Sequence, residues 1–199
     1  QTSTRRKELK LDIEVSDLTA AEPVRFTAKL RDTKGREEKR FQGIARTSGD
    51  GTQVVQLAWT WDNPRLWDFR QPNLYTLKLE AKGTDWDDEY ALPFGFREFW
   101  IDGRRLYLNG TEIRLRPTSH GYMETCFGGS IELTDAHIDG CMYVGFNIEE
   151  CWPTNHDAKG SVNHRALWAD RADRKGFLLI GTALPIDPGQ WNDPVYQET

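Results

Sequence analysis

The sequence predicts a mixed β and α/β chain: an antiparallel β-sandwich over residues 1–98, then linker hairpins and parallel strand–helix units over residues 99–199. Three observations carry this. Apolar and polar residues alternate at period two through the first half. Turn dipeptides separate the alternating rows. Beyond residue 113, helix-spaced apolar residues alternate with short apolar runs.

In the first half, Leu9, Leu11, Ile13 and Val15 alternate with Lys10, Asp12 and Glu14. Val24, Phe26, Ala28 and Leu30 form a second row, Val55, Leu57, Trp59 and Trp61 a third, and Tyr75, Leu77, Leu79 and Ala81 a fourth. Alternate residues of a strand share a face, so each row suits a sheet buried on one side. Asp32-Thr33-Lys34-Gly35, Ser48-Gly49-Asp50-Gly51 and Lys82-Gly83-Thr84-Asp85 supply the turns. The basic cluster Arg36–Arg40, broken by Glu37 and Glu38, reads as the exposed face of a strand. Short strands with regular turns indicate a β-sandwich, immunoglobulin-like in architecture only, because the Cys…Trp…Cys pattern of antibody domains is missing.

Phe99 to Arg116 reads as hairpins turning at Asp102-Gly103 and Asn109-Gly110, dipeptides that favour the positive φ of tight turns. Asn109-Gly110-Thr111 also matches a glycosylation sequon, but its turn chemistry is the first reading. Ile113–Arg116 is the expected first parallel strand. A helix is expected from Thr134 as N-cap to Gly145, with Ile138, Cys141 and Met142 on one face. Phe146–Glu150 follows as a strand. Asn163 can cap a second helix over Arg165–Lys175, stopped by Gly176, and Phe177–Leu184 is the third strand. Strand–helix–strand–helix–strand is how a (β/α)8 (TIM) barrel begins. A complete barrel needs about 200 residues, so the expectation is an incomplete one: three strands, with the remainder supplied by the same longer polypeptide.

Composition narrows the function classes. A net charge of -5 with dispersed basic residues argues against nucleic acid. No apolar run approaches the ~20 residues of a membrane-spanning helix, so no membrane partner is expected. No signal peptide is visible, which leaves the compartment open; secretion and a periplasmic location are both compatible. The three cysteines, Cys126, Cys141 and Cys151, imply no disulfide framework; Cys141 and Cys151 read as small buried residues. No pair among the cysteines and the four histidines shows recognisable zinc-ligand spacing, so neither a metal nor a cofactor is expected. Eight tryptophans suit a carbohydrate-active protein, since sugar faces stack on indole, but Trp59 and Trp61 read as core.

A run of short motifs sharpens this. Trp61-Asp62-Asn63-Pro64-Arg65-Leu66-Trp67, Pro72-Asn73-Leu74-Tyr75, Phe94-Gly95-Phe96-Arg97-Glu98, Leu108-Asn109-Gly110 and Gly145-Phe146-Asn147 occur in that order. Together they resemble the junction between the immunoglobulin-like domain and the barrel of family 2 glycoside hydrolases, which include β-galactosidases, β-glucuronidases and β-mannosidases. Asp170, Gly176 and Leu179 extend the resemblance. It implies a retaining mechanism on β-linked sugars, with one carboxylic acid as acid/base and a second carboxylate as nucleophile. In the family these follow the fourth and seventh barrel strands, so neither is expected within this chain. The isolated chain is accordingly not expected to hydrolyse glycosides.

What the resemblance leaves here is part of a pocket rim, because barrel sites form at the C-terminal ends of strands. The candidate substrate-binding residues are His120, Glu150, Trp152, Asn155, His156 and Asp157. His120 lies near a histidine that many family members carry after their first strand; the alternative is a solvent-facing loop residue. Glu150 stands where the family often has arginine, and it can accept hydrogen bonds from sugar hydroxyls or pair with Arg114 or Arg116. Trp152 can stack on a sugar or merely pack its loop. The expected partner is an oligosaccharide or glycoside. A non-catalytic glycan-binding or scaffolding module is the alternative for the whole chain.

Overall fold

The computed structural model describes residues 1–17, 21–49, 51–120, 130–151 and 164–181. These fall into two compact units, Gln1–Arg114 and Leu115–Thr199. The first is all β. One sheet pairs β1 (Thr2–Ser3), β2 (Glu8–Val15) and β5 (Gln53–Thr60). A second runs in the order β4 (Glu37–Arg46), β3 (Pro23–Asp32), β6 (Leu74–Lys82), β7 (Asp87–Gly95). All of these pairings are antiparallel. The expected alternation sets the core: Val24, Phe26, Ala28 and Leu30 of β3 are fully buried and pack with Leu9, Val55, Leu77 and Leu79. The Arg36–Arg40 cluster does lie on a strand's exposed end, with Phe41 the first buried residue of β4. Trp61 belongs to this core, and Trp59 packs against it, stacked on Phe41 at 5.2 Å.

The motifs from Trp61 to Gly110 form a structural junction at one end of this sandwich. Trp61 meets Tyr75 at 4.9 Å and the edge of Phe96 at 5.5 Å. The Arg65 amide donates to the Tyr75 hydroxyl at 2.6 Å, and Asn73 Nδ2 donates to the Leu66 carbonyl at 2.9 Å. Trp67 is completely buried; its amide donates to Phe96 O, and the Arg97 guanidinium lies 4.4 Å above its ring. Gly95 is required by this packing. A Cβ there would stand 2.8 Å from Trp67 Cβ, closer than carbon atoms approach.

The hairpins complete the junction. β8 (Phe99–Asp102), β9 (Arg105–Leu108) and β10 (Thr111–Ile113) form a three-stranded antiparallel sheet. Asn109 and Gly110 take φ of 53° and 88°, the left-handed values a two-residue hairpin needs. Asn109 Oδ1 accepts from the Glu98 amide at 2.9 Å, and its Nδ2 donates to Trp67 O at 2.8 Å. The turn reading of this asparagine therefore holds, with the nitrogen a glycan would occupy already engaged. Ile113 closes β10 opposite Leu106, so the expected first parallel strand at Ile113–Arg116 is displaced. That strand is β11 (Pro117–His120), because the Asn-Gly turn commits Thr111–Ile113 to the hairpin.

Glu98 ties the N-terminus to this junction. Its carboxylate accepts from the Arg5 amide, from Arg5 Nε and Nη2 at 2.8 and 2.6 Å, and from the Ser3 and Thr4 hydroxyls. Burial alone would raise its pKa, but the bonds from Arg5, Ser3 and Thr4 outweigh burial and hold it at about 2.

The second unit is a parallel α/β segment. Its sheet order is β11–β12–β13, with β12 at Ile148–Cys151 and β13 at Leu178–Gly181. Helix α1 (Ile131–Tyr143) connects the first pair and α2 (His164–Lys175) the second. Ile138, Trp168, Ala172 and Phe177 form the core of this unit, with Cys141, Met142, Phe146 and Leu179 against it.

Two outcomes test the junction. Gly95→Ala forces the Trp67 indole to shift and should lower stability by about 1–3 kcal/mol, as overpacking does; chemical denaturation checks it. Glu98 contributes stability in full above its unfolded pKa near 4.5, and that contribution is lost as pH falls from there toward 2. Thermal midpoints of wild type and Glu98→Gln should therefore converge over that acid range and separate above it.

Candidate functional site

The second unit presents the strand ends where the candidate residues were expected, and its local chemistry explains how. Ser130, not Thr134, caps α1: its Oγ accepts from the Leu133 amide at 3.2 Å. Thr134 lies one turn inside, buried, with its hydroxyl donating to Ser130 O. Serine and threonine both suit an N-cap; four residues of sequence separate the two, and burial of Thr134 decides between them.

The far end of α1 accounts for Gly145-Phe146-Asn147. Gly145 takes φ of 98°, its amide donating to Met142 O while the Phe146 amide reaches back to Cys141 O. This is the Schellman pair of bonds, which needs glycine at the left-handed position. Asn147 then joins β11: its amide donates to Arg116 O and its Oδ1 accepts from the Arg116 amide at 2.7 Å. The second helix ends likewise, with Gly176 at φ 78° and the Phe177 amide on Ala172 O. Both helices thus turn directly into their strands, with the register set before the strand begins.

That register aligns Pro117, Ile148 and Leu178, then Thr118, Glu149 and Leu179, then Ser119, Glu150 and Ile180, and finally His120, Cys151 and Gly181. The three strands end level. Glu150, partly buried, lies on the face opposite to Glu149, beside Ser119 and Ile180. His120 occupies the last position of β11, one step beyond Ser119. Trp152, Asn155, His156 and Asp157 lie outside the described residues. Of the six candidates, then, two stand at the C-terminal edge of this sheet.

Glu149 and His137 were not among the expected site residues. Glu149 is completely buried and faces α1, where its Oε1 lies 2.8 Å from His137 Nε2. Cys141 Sγ lies 3.4 Å from the same nitrogen. All three donor atoms fall within 4.8 Å of one another. They could hold a metal ion, and they are the one such group among the described residues. Burial, and then the charge of Glu149, push the Cys141 thiol pKa up, which opposes a nucleophilic thiolate. From sequence, no cysteine–histidine pair is assigned ligand spacing; His137 and Cys141 stand one helical turn apart, and the third donor comes from β12 and depends on packing. Around the cluster, Trp168 sets its ring edge-on to His137 at 5.3 Å, and Arg171 holds Asp135 through two 2.7 Å bonds between the helices.

A concavity of the first unit is different in kind. It is a largely apolar opening between β2, β6 and β7, whose lining includes Leu11, Ile13, Phe26, Leu79, Trp86 and Leu92.

The family model described as "Glycosyl hydrolases family 2" matches residues 1–97. Residues 1–97 thus carry a glycoside hydrolase family 2 domain. Beta-galactosidase BoGH2A of Bacteroides ovatus is 27% identical over 178 residues, covering 86% of this chain and 20% of that protein. A beta-galactosidase of Thermoanaerobacterium thermosulfurigenes is 33% identical over 122 residues, 58% of this chain and 17% of that one. Among solved structures, a family 2 member from Bacteroides cellulosilyticus superposes with a TM-score of 0.73 at 19% identity, covering 96% of this chain and 26% of that one. A Bacteroides uniformis beta-glucuronidase gives 0.63 at 18%, covering 92% and 22%. The chain spans about a fifth of the length of these curated relatives.

Proposed function

We propose that this chain is the immunoglobulin-like domain and the first three barrel strands of a retaining β-glycoside hydrolase, whose acid/base and nucleophile lie in the remainder of a longer polypeptide. The observation that carries the reading is coverage: 86% of this chain aligns with a beta-galactosidase, yet only 20% of that protein is matched. The parallel order β11–β12–β13 with an intervening helix at each step agrees with a barrel's opening.

In this reading the C-terminal ends of β11, β12 and β13 form part of the sugar pocket. Glu150 accepts hydrogen bonds from sugar hydroxyls, where the family often has arginine. His120, Asn155, His156 and Asp157 supply further polar contacts, and Trp152 is the stacking platform. The substrate class is a β-linked glycoside; galactosides and glucuronides are supported first, because the similar proteins are named as beta-galactosidases and beta-glucuronidases. Glu150 favours the neutral sugar over the uronic acid, since a carboxylate beside another carboxylate is repelled.

The test is a hydrolysis screen of the full-length natural polypeptide on aryl β-galactoside, glucuronide, mannoside and glucoside. Activity on at least one is expected, with KM for the preferred substrate rising several-fold in Trp152→Ala while the thermal midpoint holds. No turnover of any of the four, or an unchanged KM, would contradict the reading.

A further inference from the structure

We infer that His137, Cys141 and Glu149 form a zinc site that clips helix α1 to the central strand β12. This site is independent of the glycosidase reading, because its residues lie on the helix-facing side of the sheet.

The geometry separates this from the alternatives. A nucleophilic triad needs a thiol on one ring nitrogen and a carboxylate on the other. Here Cys141 Sγ and Glu149 Oε1 both approach Nε2 of His137, at 3.4 and 2.8 Å. One nitrogen has one in-plane position, so it cannot donate to the carboxylate and accept from the thiol at once. A hydrogen-bonded arrangement satisfies one of the two contacts. A cation shared by all three atoms uses both.

The donor separations lie near those of such an ion, and the Cys141–Glu149 edge, within 4.8 Å, would have to stand at about 3.6 Å. With Zn–S of about 2.3 Å and Zn–N and Zn–O of about 2.0–2.1 Å, a tetrahedral site has an S···N edge of about 3.6 Å and an N···O edge of about 3.3 Å. The first is within a few tenths of an ångström of the observed contact. The second requires the Glu149 carboxylate to withdraw by about half an ångström, within the reach of a side-chain rotation. Mixed nitrogen, sulfur and oxygen donors suit zinc better than calcium or magnesium, which take oxygen.

Charge is compatible with the ion. Glu149 is completely buried beside His137, and a buried carboxylate can be compensated by a metal ion as by a protonated imidazole. Zinc with one thiolate and one carboxylate is neutral overall. On binding, the Cys141 S–H bond breaks, its electron pair forms the S–Zn bond, and the proton leaves to solvent. The His137 side chain retains 18% exposure, which gives the ion an entry and leaves the fourth position to water. Two of the ligands sit one turn apart on α1 and the third on β12, so an ion would replace the direct His137–Glu149 contact with coordination bonds across the same two elements.

The experiment uses the full-length polypeptide with Cys126→Ser and Cys151→Ser, which removes the other two thiols of these 199 residues. Cobalt(II) titration should give one equivalent with a thiolate charge-transfer band and tetrahedral d–d bands, both displaced by zinc. Zinc should raise the thermal midpoint by several degrees. His137→Gln should weaken cobalt binding at least tenfold, and Cys141→Ser should abolish the thiolate band. If a variant fails to fold, X-ray absorption on the zinc-loaded parent protein decides: one sulfur with nitrogen and oxygen neighbours supports the site. No cobalt band in the folded parent, a shell of oxygens alone, or no change of affinity in folded His137→Gln would overturn it.

Discussion

Burial of Trp67 is the constraint on which the first unit depends. Its indole is fully enclosed at the end of the sandwich, and each neighbouring motif exists to accommodate it. Gly95 leaves the space, the Phe96 carbonyl accepts from its amide, Arg97 covers its ring, and Asn109 Nδ2 donates to its carbonyl. Asn109 also holds the Glu98 amide, and Glu98 holds the N-terminal segment through Arg5, Ser3 and Thr4. A large aromatic residue worth several kcal/mol of burial is thus wired by hydrogen bonds to both ends of the domain. The motifs that signalled a family are therefore packing and hydrogen-bond solutions rather than chemistry on a substrate.

The second unit relies on a different device. Two glycine-ended helices each return their last carbonyls to the next strand's leading amides, so helix and strand cannot slip relative to one another. Asn147 fixes β12 against the chain entering β11 by a backbone and a side-chain bond. The consequence is three parallel strands that end level, which is the arrangement a sugar pocket at the strand ends requires in the reading proposed above.

Legibility from sequence followed the physics. Period-two alternation located β2, β3, β5 and β6, because each has one face in the core. Asn109-Gly110, Gly145 and Gly176 were legible because positive φ restricts the residue type. Less legible were choices that tertiary packing decides. Ser130 and Thr134 are equally good caps on paper, and Ile113–Arg116 is as apolar as a short strand needs to be until the hairpin claims Ile113. Glu150 was identified from its place after Gly145-Phe146-Asn147, whereas Glu149 beside it gave no signal. A carboxylate on the helix-facing side of a strand has meaning only once His137 and Cys141 are brought onto it by α1.

The central claim is that the motifs from Trp61 to Gly110 build one cooperative junction centred on Trp67. Native-state hydrogen exchange of Asn109→Ala tests it most directly, followed at the amides of β6, β7, β8 and β9. The account predicts that protection falls together in the hairpin and in the adjoining sandwich strands, because Asn109 couples Trp67 to Glu98. Loss confined to the β9–β10 turn, with β6 and β7 protected as in the wild type, would contradict it.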